Sequence, residues 1–409
     1  MSNMKKIFFT KNMLLVLLTG FSSGLPLALT AGTLQAWMAD ESVDLTVIGI
    51  FSLVGLPYTI KFLWAPLMDR FEPPFLGRRR GWMLITQAFL VLLIIGLGFS
   101  NPAKQPLLVA FLAFMIAFFS ASQDIAIDAF RTELLASEER GAGASVSNFG
   151  YRLAMIVSGA IALILADHLP WSQVYALMAL LVGIGILASF FADEPAVEIR
   201  PPLSIRDAVM HPLTQFFQRK GAILILIFIL IYKIDIVMAV ALMTKFMMEL
   251  GFTKTEIGAV TKTVGMISAI VGSLCGGALY ARLGLKRSLW YFGIIQGFST
   301  LSFAVLAEVG KNSLVMAGAV GFENFCAGLA TAPFIALLMS LCDKRYTATQ
   351  YALLSSFAAV SRVIAGAPTG YLVLAMGWTP FFILCALTAI PGLLMIHLFY
   401  DSWEIEKGA

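Results

Sequence analysis

Residues 69 to 81 read DRFEPPFLGRRRG, four arginines and two acids within thirteen residues, in a chain that is 59% hydrophobic and only 13% charged. So dense a charge in so apolar a chain marks a watery connection between two segments that leave water. Working outward from it, apolar runs recur from Met13 almost to Tyr400, each long enough for the helix of about 20 residues that crosses a hydrocarbon layer. With 409 residues, 32 Phe and 19 Met and a mean hydropathy of +0.87, the chain carries more apolar surface than a soluble domain of this length uses. Backbone groups in hydrocarbon must be satisfied within each segment, and the runs are too long and too uniformly apolar for barrel strands. The fold class is therefore an all-α integral membrane protein. Twelve helices are predicted near 11–36, 46–68, 82–101, 106–130, 142–167, 172–192, 222–246, 256–281, 288–308, 314–341, 348–374 and 380–400.

The charges orient this bundle. If both termini share the side of the 69–81 loop, that side holds nineteen basic residues: Lys5, Lys6, Lys11, Arg70, Arg78, Arg79, Arg80, Arg131, Arg140, Arg200, Arg206, Arg219, Lys220, Arg282, Lys286, Arg287, Lys344, Arg345 and Lys407. The opposite loops hold Lys104, Lys254 and Lys311. The imbalance makes the first side cytoplasmic, with both termini there. The formal charge of +4 is spread over many short loops, which excludes a nucleic-acid partner. The N-terminal apolar stretch runs on to Trp37 without a small-residue cleavage site, so it is read as the first helix and not as a leader. Cys275, Cys326, Cys342 and Cys385 have no CxxC spacing and read as reduced packing residues, and the scattered His168, His211 and His397 suggest no metal.

The longest polar interval, DEPAVEIRPPLSIRDAVMHPLTQFFQRKG (193–221), divides the chain into six-helix bundles 1–192 and 222–409 joined by a cytoplasmic linker, with a surface helix around Ile205 to Phe217. ARLGLKRSLW (281–290) repeats the order of the opening loop at the same place in the second half: arginine, glycine, basic cluster, aromatic. More loosely, EERGAGAS (138–145) corresponds to DKRYTATQ (343–350), each followed by a helix with one arginine, Arg152 or Arg362. Two parallel six-helix repeats with such a loop resemble the major facilitator superfamily. The resemblance implies that Asp69, Arg70, Gly77, Arg78, Arg79 and Arg80 form a cytoplasmic gate that docks one half on the other and helps hold an outward-open state. Topology alone would ask for the arginines but not for Asp69, Gly77 or the repeated placement.

Ionisable side chains at membrane depth are costly and commonly functional. On these spans Arg152, Lys233, Asp235, Glu323 and Arg362 fall near the middle, Lys61 and Asp124 toward the cytoplasmic half, Lys245 and Lys262 toward the outside. Basic groups outnumber acids, so an anionic solute is the natural partner of those left over, Arg152 and Arg362 first. Lys245 and Lys262 can reach the interface along their own stems. No GxxxxGK[ST] loop occurs, so the proton gradient replaces ATP, with Asp124, Asp235 and Glu323 as the titrating candidates and no cofactor. Asp128 follows Asp124 by four residues on one face. Near the cytoplasmic end, it reads as a bridge to the arginine-rich loop at least as well as a second acid of the path, and it is counted with the gate. Lys233 and Asp235 lie about 200° apart on a helix, so one of them braces neighbouring helices. Gln35, Lys61, Trp64, Gln123, Tyr151, Arg152, Lys233, Asn324 and Arg362 complete the expected substrate site; its amides and aromatic faces suit acetamido sugars. SGLPLALTAG (23–32) predicts a kink or break in the first helix.

SGLPLALTAGTLQAWM, FSLVGLPYTIKFLWAPLMDRFEPPFLGRRRGW, SASQDIAIDAFRTELLASEERGAGAS with GYRLAMIVSG, and TATQYALLSSFAAVSRVIAG resemble the AmpG family of muropeptide permeases. That resemblance implies a proton-driven importer of N-acetylglucosaminyl-1,6-anhydro-N-acetylmuramyl peptides in the inner membrane of a Gram-negative bacterium, serving wall recycling and, where the circuit exists, β-lactamase induction. Its partners would be the anionic glycopeptide, protons and the bilayer, with the chain acting as a monomer. In two respects the chain departs from the family: some members carry further C-terminal membrane segments, and the helix 7 stretch YKIDIVMA differs from the family's pattern, which ranks Glu323 and Asp124 above Asp235. The alternatives are a carrier of another anion such as acetyl-coenzyme A and a polytopic transferase. The transferase would need catalytic groups clustered at one membrane face, which the sequence lacks.

Overall fold

Proline and glycine decide where the apolar runs become one helix and where they break. The computed structural model describes residues 8–43, 51–195, 204–366 and 368–403, and the regular structure there is helical. Helix α1 (Lys11–Asp40) starts at Thr10, whose hydroxyl accepts from the Met13 N–H, and breaks at Ala31 (φ −114, ψ −107). The break falls inside the predicted 23–32 stretch, yet at its end, because Pro26 is accommodated within the helix. Residues 51–70 form α2, four short turns of α and 3-10 helix with Pro57 and Pro66 in the first turns of its two α pieces; a ring that removes an N–H is tolerated there and not further along. Next come α3 (Arg78–Gly98), α4 (Pro106–Leu134), α5 (Arg140–Ala166, with a π turn at Val157–Ile161) and α6 (Trp171–Phe191).

The linker contributes α7 (Ile205–Gln218), capped by the Ser204 hydroxyl on the Asp207 N–H, at the place predicted for a surface helix. Helix α8 (Ala222–Glu249) is interrupted at Tyr232–Lys233 and at Leu242. The helical run Thr255–Val309 turns over at Gly284 (φ 73, ψ 176), giving α9 (255–283) and α10 (285–309). The last three are α11 (Ser313–Ser340), α12 (Thr347–Met376) and α13 (Trp378–Phe399).

Ten helical runs among the described residues are long and apolar enough to cross a membrane. Dividing the longest at Gly284 and adding the broken α2 gives the twelve that the sequence predicts. Gly77 and Gly284 share the left-handed region (φ 78 and φ 73), so the loop repeat holds at the level of backbone conformation. Their contacts differ. The basic cluster of the second half ties to its own end, Lys286 Nζ lying 2.6 Å from Asp401, whereas that of the first half grips Asp69, which in turn reaches across to the second half.

Bare glycines weld helices where side chains cannot fit. A Cβ on Gly20 or Gly24 of α1 would lie 2.5 or 2.4 Å from the Ser147 or Tyr151 carbonyl of α5. One on Gly272 or Gly276 of α9 would lie 2.0 or 2.4 Å from the Phe325 or Leu329 carbonyl of α11. In a bilayer, where burying apolar surface gains little, such close approach drives helix association. A further apolar cluster (Met68, Phe130, Ala348, Ala352) joins α2 and α4 of the first half to α12 of the second. The face carrying the 71–77, 135–139 and 341–346 loops is called the basic face below.

Candidate functional site

The basic face is closed by a carboxylate. Asp69, fully buried at the end of α2, accepts from the Ala348 N–H (3.3 Å), the Thr349 N–H (2.8 Å) and the Thr349 hydroxyl (2.7 Å). The first amides of a helix lack intrahelical partners and lie at the positive end of its dipole. An acid of the first half therefore caps α12 of the second. Arg79 Nη2 donates to Asp69 at 2.8 Å, and its guanidinium also grips Glu133 of α4 (Nε 3.0 Å from each oxygen, Nη2 2.5 Å). Arg78 sits 3.5 Å from the same Glu133.

The rest of the loop braces its own half. Glu194 accepts from the Arg79 and Arg80 N–H groups at 2.7 and 3.1 Å, capping α3, and Arg80 Nε returns to the Ser189 carbonyl at 3.0 Å, closing the end of α6. Gly77 makes room for this cap, since a Cβ there would meet the Glu194 side chain at 2.8 Å. Arg70 lies over the Phe71 ring at 5.3 Å. Thus the gate residues Asp69, Gly77, Arg78, Arg79 and Arg80 do come together, with Glu133, Glu194 and Thr349 as partners the sequence did not single out. Asp128 is a correction: Glu133, one and a half turns further along α4, is the acid that serves the arginine loop. Asp128 is instead shared by Arg131 (Nη2 2.8 Å) and Lys61 (Nζ 3.6 Å).

Two more contacts tie the halves. Arg131 donates to the Tyr351 hydroxyl of α12 at 3.0 Å and to the Ser147 hydroxyl of α5 at 2.7 Å. The Ser145 hydroxyl of α5 donates to the Ser273 carbonyl of α9 at 2.6 Å, and Asn148 Nδ2 to the Ser273 hydroxyl at 3.0 Å. A latch adds to them: Gln215 of α7 donates to Asp343, whose N–H donates to Gln350 Oε1 at 2.6 Å, while Gln350 Nε2 donates to the Pro212 carbonyl at 3.2 Å. Partial burial pushes the Asp343 carboxyl up, but the Arg345 N–H and the Gln215 amide outweigh it and hold it below the ordinary carboxylate range.

Toward the middle of the bundle the expected charges take different roles. The Asp124 carboxylate accepts from Ser23 of α1 at 2.6 Å. Trp64 donates to the Ser122 hydroxyl at 2.9 Å, and Gln35 is exposed. Tyr151 is half-buried on α5 beside Arg152. Gln123 is fully buried and donates to Ser22 at 3.0 Å, so it packs α4 on α1 instead of lining open space. Lys233, at the break in α8, lies 3.4 Å from the Thr331 hydroxyl and 4.9 Å from the centre of the Phe334 ring. Asp235 is the brace: buried, it accepts from Gln296 of α10 at 3.0 and 3.1 Å. Glu323 is buried with one oxygen on Asn324 (3.1 Å) and the other without a partner among the described residues, and Asn324 spends its amide there and on the Val320 carbonyl (2.9 Å). The Arg362 side chain lies outside the described residues.

Arg152 stands apart. It is half-buried on α5, its Nε is shielded from solvent without a hydrogen-bond partner, and no acid among the described residues comes within 4.0 Å of it. A guanidinium so placed has donors that suit a carboxylate, and no acid among the described residues takes them.

Two bundles of broken and welded helices, docked at one face by an acid of one half on a helix end of the other, define a carrier of the rocking-bundle type. A family model described as Major Facilitator Superfamily matches residues 16–366. The fold is shared with the proton:xylose symporter XylE (TM-score 0.73, 12% identity, 98% of this chain and 97% of that one). It is shared too with the human organic anion transporter MFSD10 (TM-score 0.65, 16% identity, 96% and 99%). Sequence narrows the class. The anhydromuropeptide permease of Escherichia coli K12 is 49% identical over 404 residues, covering 98% of this chain and 82% of that protein. A Rickettsia bellii protein named transporter AmpG 1 is 32% identical over 400 residues (95% and 98%). The chain belongs to the AmpG family of major facilitator permeases; it is a multi-pass membrane transporter and not an enzyme.

Proposed function

We propose that the chain is a proton-driven importer of anhydromuropeptides, carrying GlcNAc-1,6-anhydro-MurNAc peptides from the periplasm across the inner membrane for wall recycling. The basic face is then cytoplasmic with both termini, and the contacts of Asp69 and Arg131 hold that inner side shut. Arg152 is the observation that carries this reading. A guanidinium at membrane depth with no acid beside it among the described residues is retained against a cost of several kcal/mol, and the stem-peptide carboxylates of the substrate are anions that offset it. Lys233 lies on the facing bundle as a second donor. Glu323 and Asp124 take and release the proton as access alternates.

Uptake of labelled anhydromuropeptide into proteoliposomes under an imposed pH gradient tests the proposal. Uptake is expected to require the gradient, and transport that persists after the gradient is collapsed removes the proton mechanism. Glu323→Gln is expected to free uptake from its pH dependence or to halt it; an unaltered pH profile clears Glu323 of the role.

A further inference from the structure

On α4 the spacing of two acids and two cations leaves one carboxylate with twice the demand of the other. Asp124 and Asp128 are four residues apart, one turn or about 6 Å along the same face. Asp128 serves two cations, one oxygen each: Arg131 at 2.8 Å and Lys61 at 3.6 Å. Among the described residues no cation lies within 4.0 Å of Asp124, which accepts from the Ser23 hydroxyl, while Lys61 carries the charge nearest its neighbour Asp128 on the same face apart from Arg131. A seated ammonium–carboxylate bond is roughly 2.7–2.9 Å long. At 3.6 Å Lys61 is therefore drawn between the two acids and held fully by neither. Lys61 also lies in a 3-10 turn (Lys61–Leu63) between the α-helical pieces of α2, where the backbone has more latitude than in a continuous helix.

We propose that Lys61 is the link by which the Asp124 acid releases the closure of the basic face: when Asp124 is neutral, Lys61 seats on Asp128 and displaces Arg131, the residue that ties α4 to Tyr351. With both acids ionised, the two acids and two cations balance. A proton added to one oxygen of Asp124 leaves two cations competing for Asp128 alone. Arg131 then loses its anchoring carboxylate, and its bonds to Tyr351 and Ser147 lose their geometry. The proton departs from the same oxygen on the far side of the cycle, and Lys61 returns to its shared position. The groups facing this chain of contacts among the described residues are Ser23 of α1, Tyr58 of α2, Tyr151 and Ser147 of α5 and Tyr351 of α12, none of them charged at neutral pH. The inference rests on the reading of Asp124 as a proton acceptor, and it places Lys61 as a positioning residue, not a substrate ligand.

The test uses the full chain with its four cysteines replaced and a reporter Ala352→Cys, a buried position beside Tyr351 in the apolar contact between α12 and the first half. Maleimide labelling of the reporter reads opening of the basic face. Asp124→Asn, which mimics the protonated acid, is expected to raise labelling several-fold. Lys61→Met added to it is expected to bring labelling back to the parent's level, and Asp128→Asn to raise labelling with or without Lys61. An equal rise from Asp124→Asn in the presence and absence of Lys61 overturns the proposal, as does no rise at all. Lys61→Gln replaces Lys61→Met if the latter is not monodisperse. Uptake by the unaltered chain that ignores pH would defeat the proton reading separately, because the labelling series measures the linkage without any gradient.

Discussion

Arg152 and Arg79 are both arginines withdrawn from water, one within a membrane-spanning helix and the other at the basic face, and their neighbours give them opposite energetics. Arg79 is almost fully buried between Asp69 and Glu133, so Arg79→Ala strands two carboxylates. Breaking one side of such a buried group costs roughly 3–5 kcal/mol, to be seen as a large drop in thermal midpoint in detergent. Arg152→Ala is expected to do the reverse: uptake is lost while the midpoint stays level or rises, because a cation with no acid beside it among the described residues has been removed from low dielectric. Normal uptake by the Arg152→Ala protein would show that the cation is structural. Arg152→Lys should restore part of the transport, since a lysine keeps the charge but not the planar fork. The depth of Arg152 was legible from its spacing within an apolar run. That no acid among the described residues faces it was not, because the candidate acids lie on other helices and only packing decides which of them come near.

At the scale of elements, SGLPLALTAG illustrates how a local signal can be right about a break and silent about its use. Glycine and proline there predict an irregular helix, and α1 does break at Ala31. Gly24, however, is spent on contact with α5 and not on bending. In the second half the weld joins a different pair, α9 to α11, and α8, the counterpart of α1, is left in three pieces. Gly272→Val is expected to lower the thermal midpoint by an amount corresponding to about 1–3 kcal/mol or more, the cost of forcing apart a packed contact. Gly183→Ala on α6, where a Cβ meets nothing within 4 Å, serves as the control and should be neutral. Equal midpoints for the two variants would refute the weld.

Across the whole molecule, the halves and the linker helix meet on the basic face through Asp69, Arg131, Ser145 and the Asp343 latch. The latch has a definite pH signature. The folded-state affinity of Asp343 for a proton is depressed by the groups that donate to it, so its contribution is full above the ordinary carboxylate range and is lost as pH falls through the lower folded value. The stability difference between the parent and Asp343→Asn is therefore expected to favour the parent at neutral pH and to shrink on acidification, as read by paired thermal melts. A difference that stays constant down through the carboxylate range would remove Asp343 from the latch.

By itself the sequence determined that this is a helical membrane bundle of twelve spans with one strongly basic face, because length, hydropathy and loop charge are properties of the chain read in order. It also marked the Asp69–Arg80 loop through its repeat at Gly284. Only the tertiary structure decided which charges are partners: Glu133 and not Asp128 for the arginine loop, Gln296 for Asp235, the end of α12 for Asp69, and, among the described residues, no acid for Arg152. The reason is that a charge in low dielectric is governed by what lies within a few ångströms of it, and in a bundle those neighbours come from helices far apart in the chain.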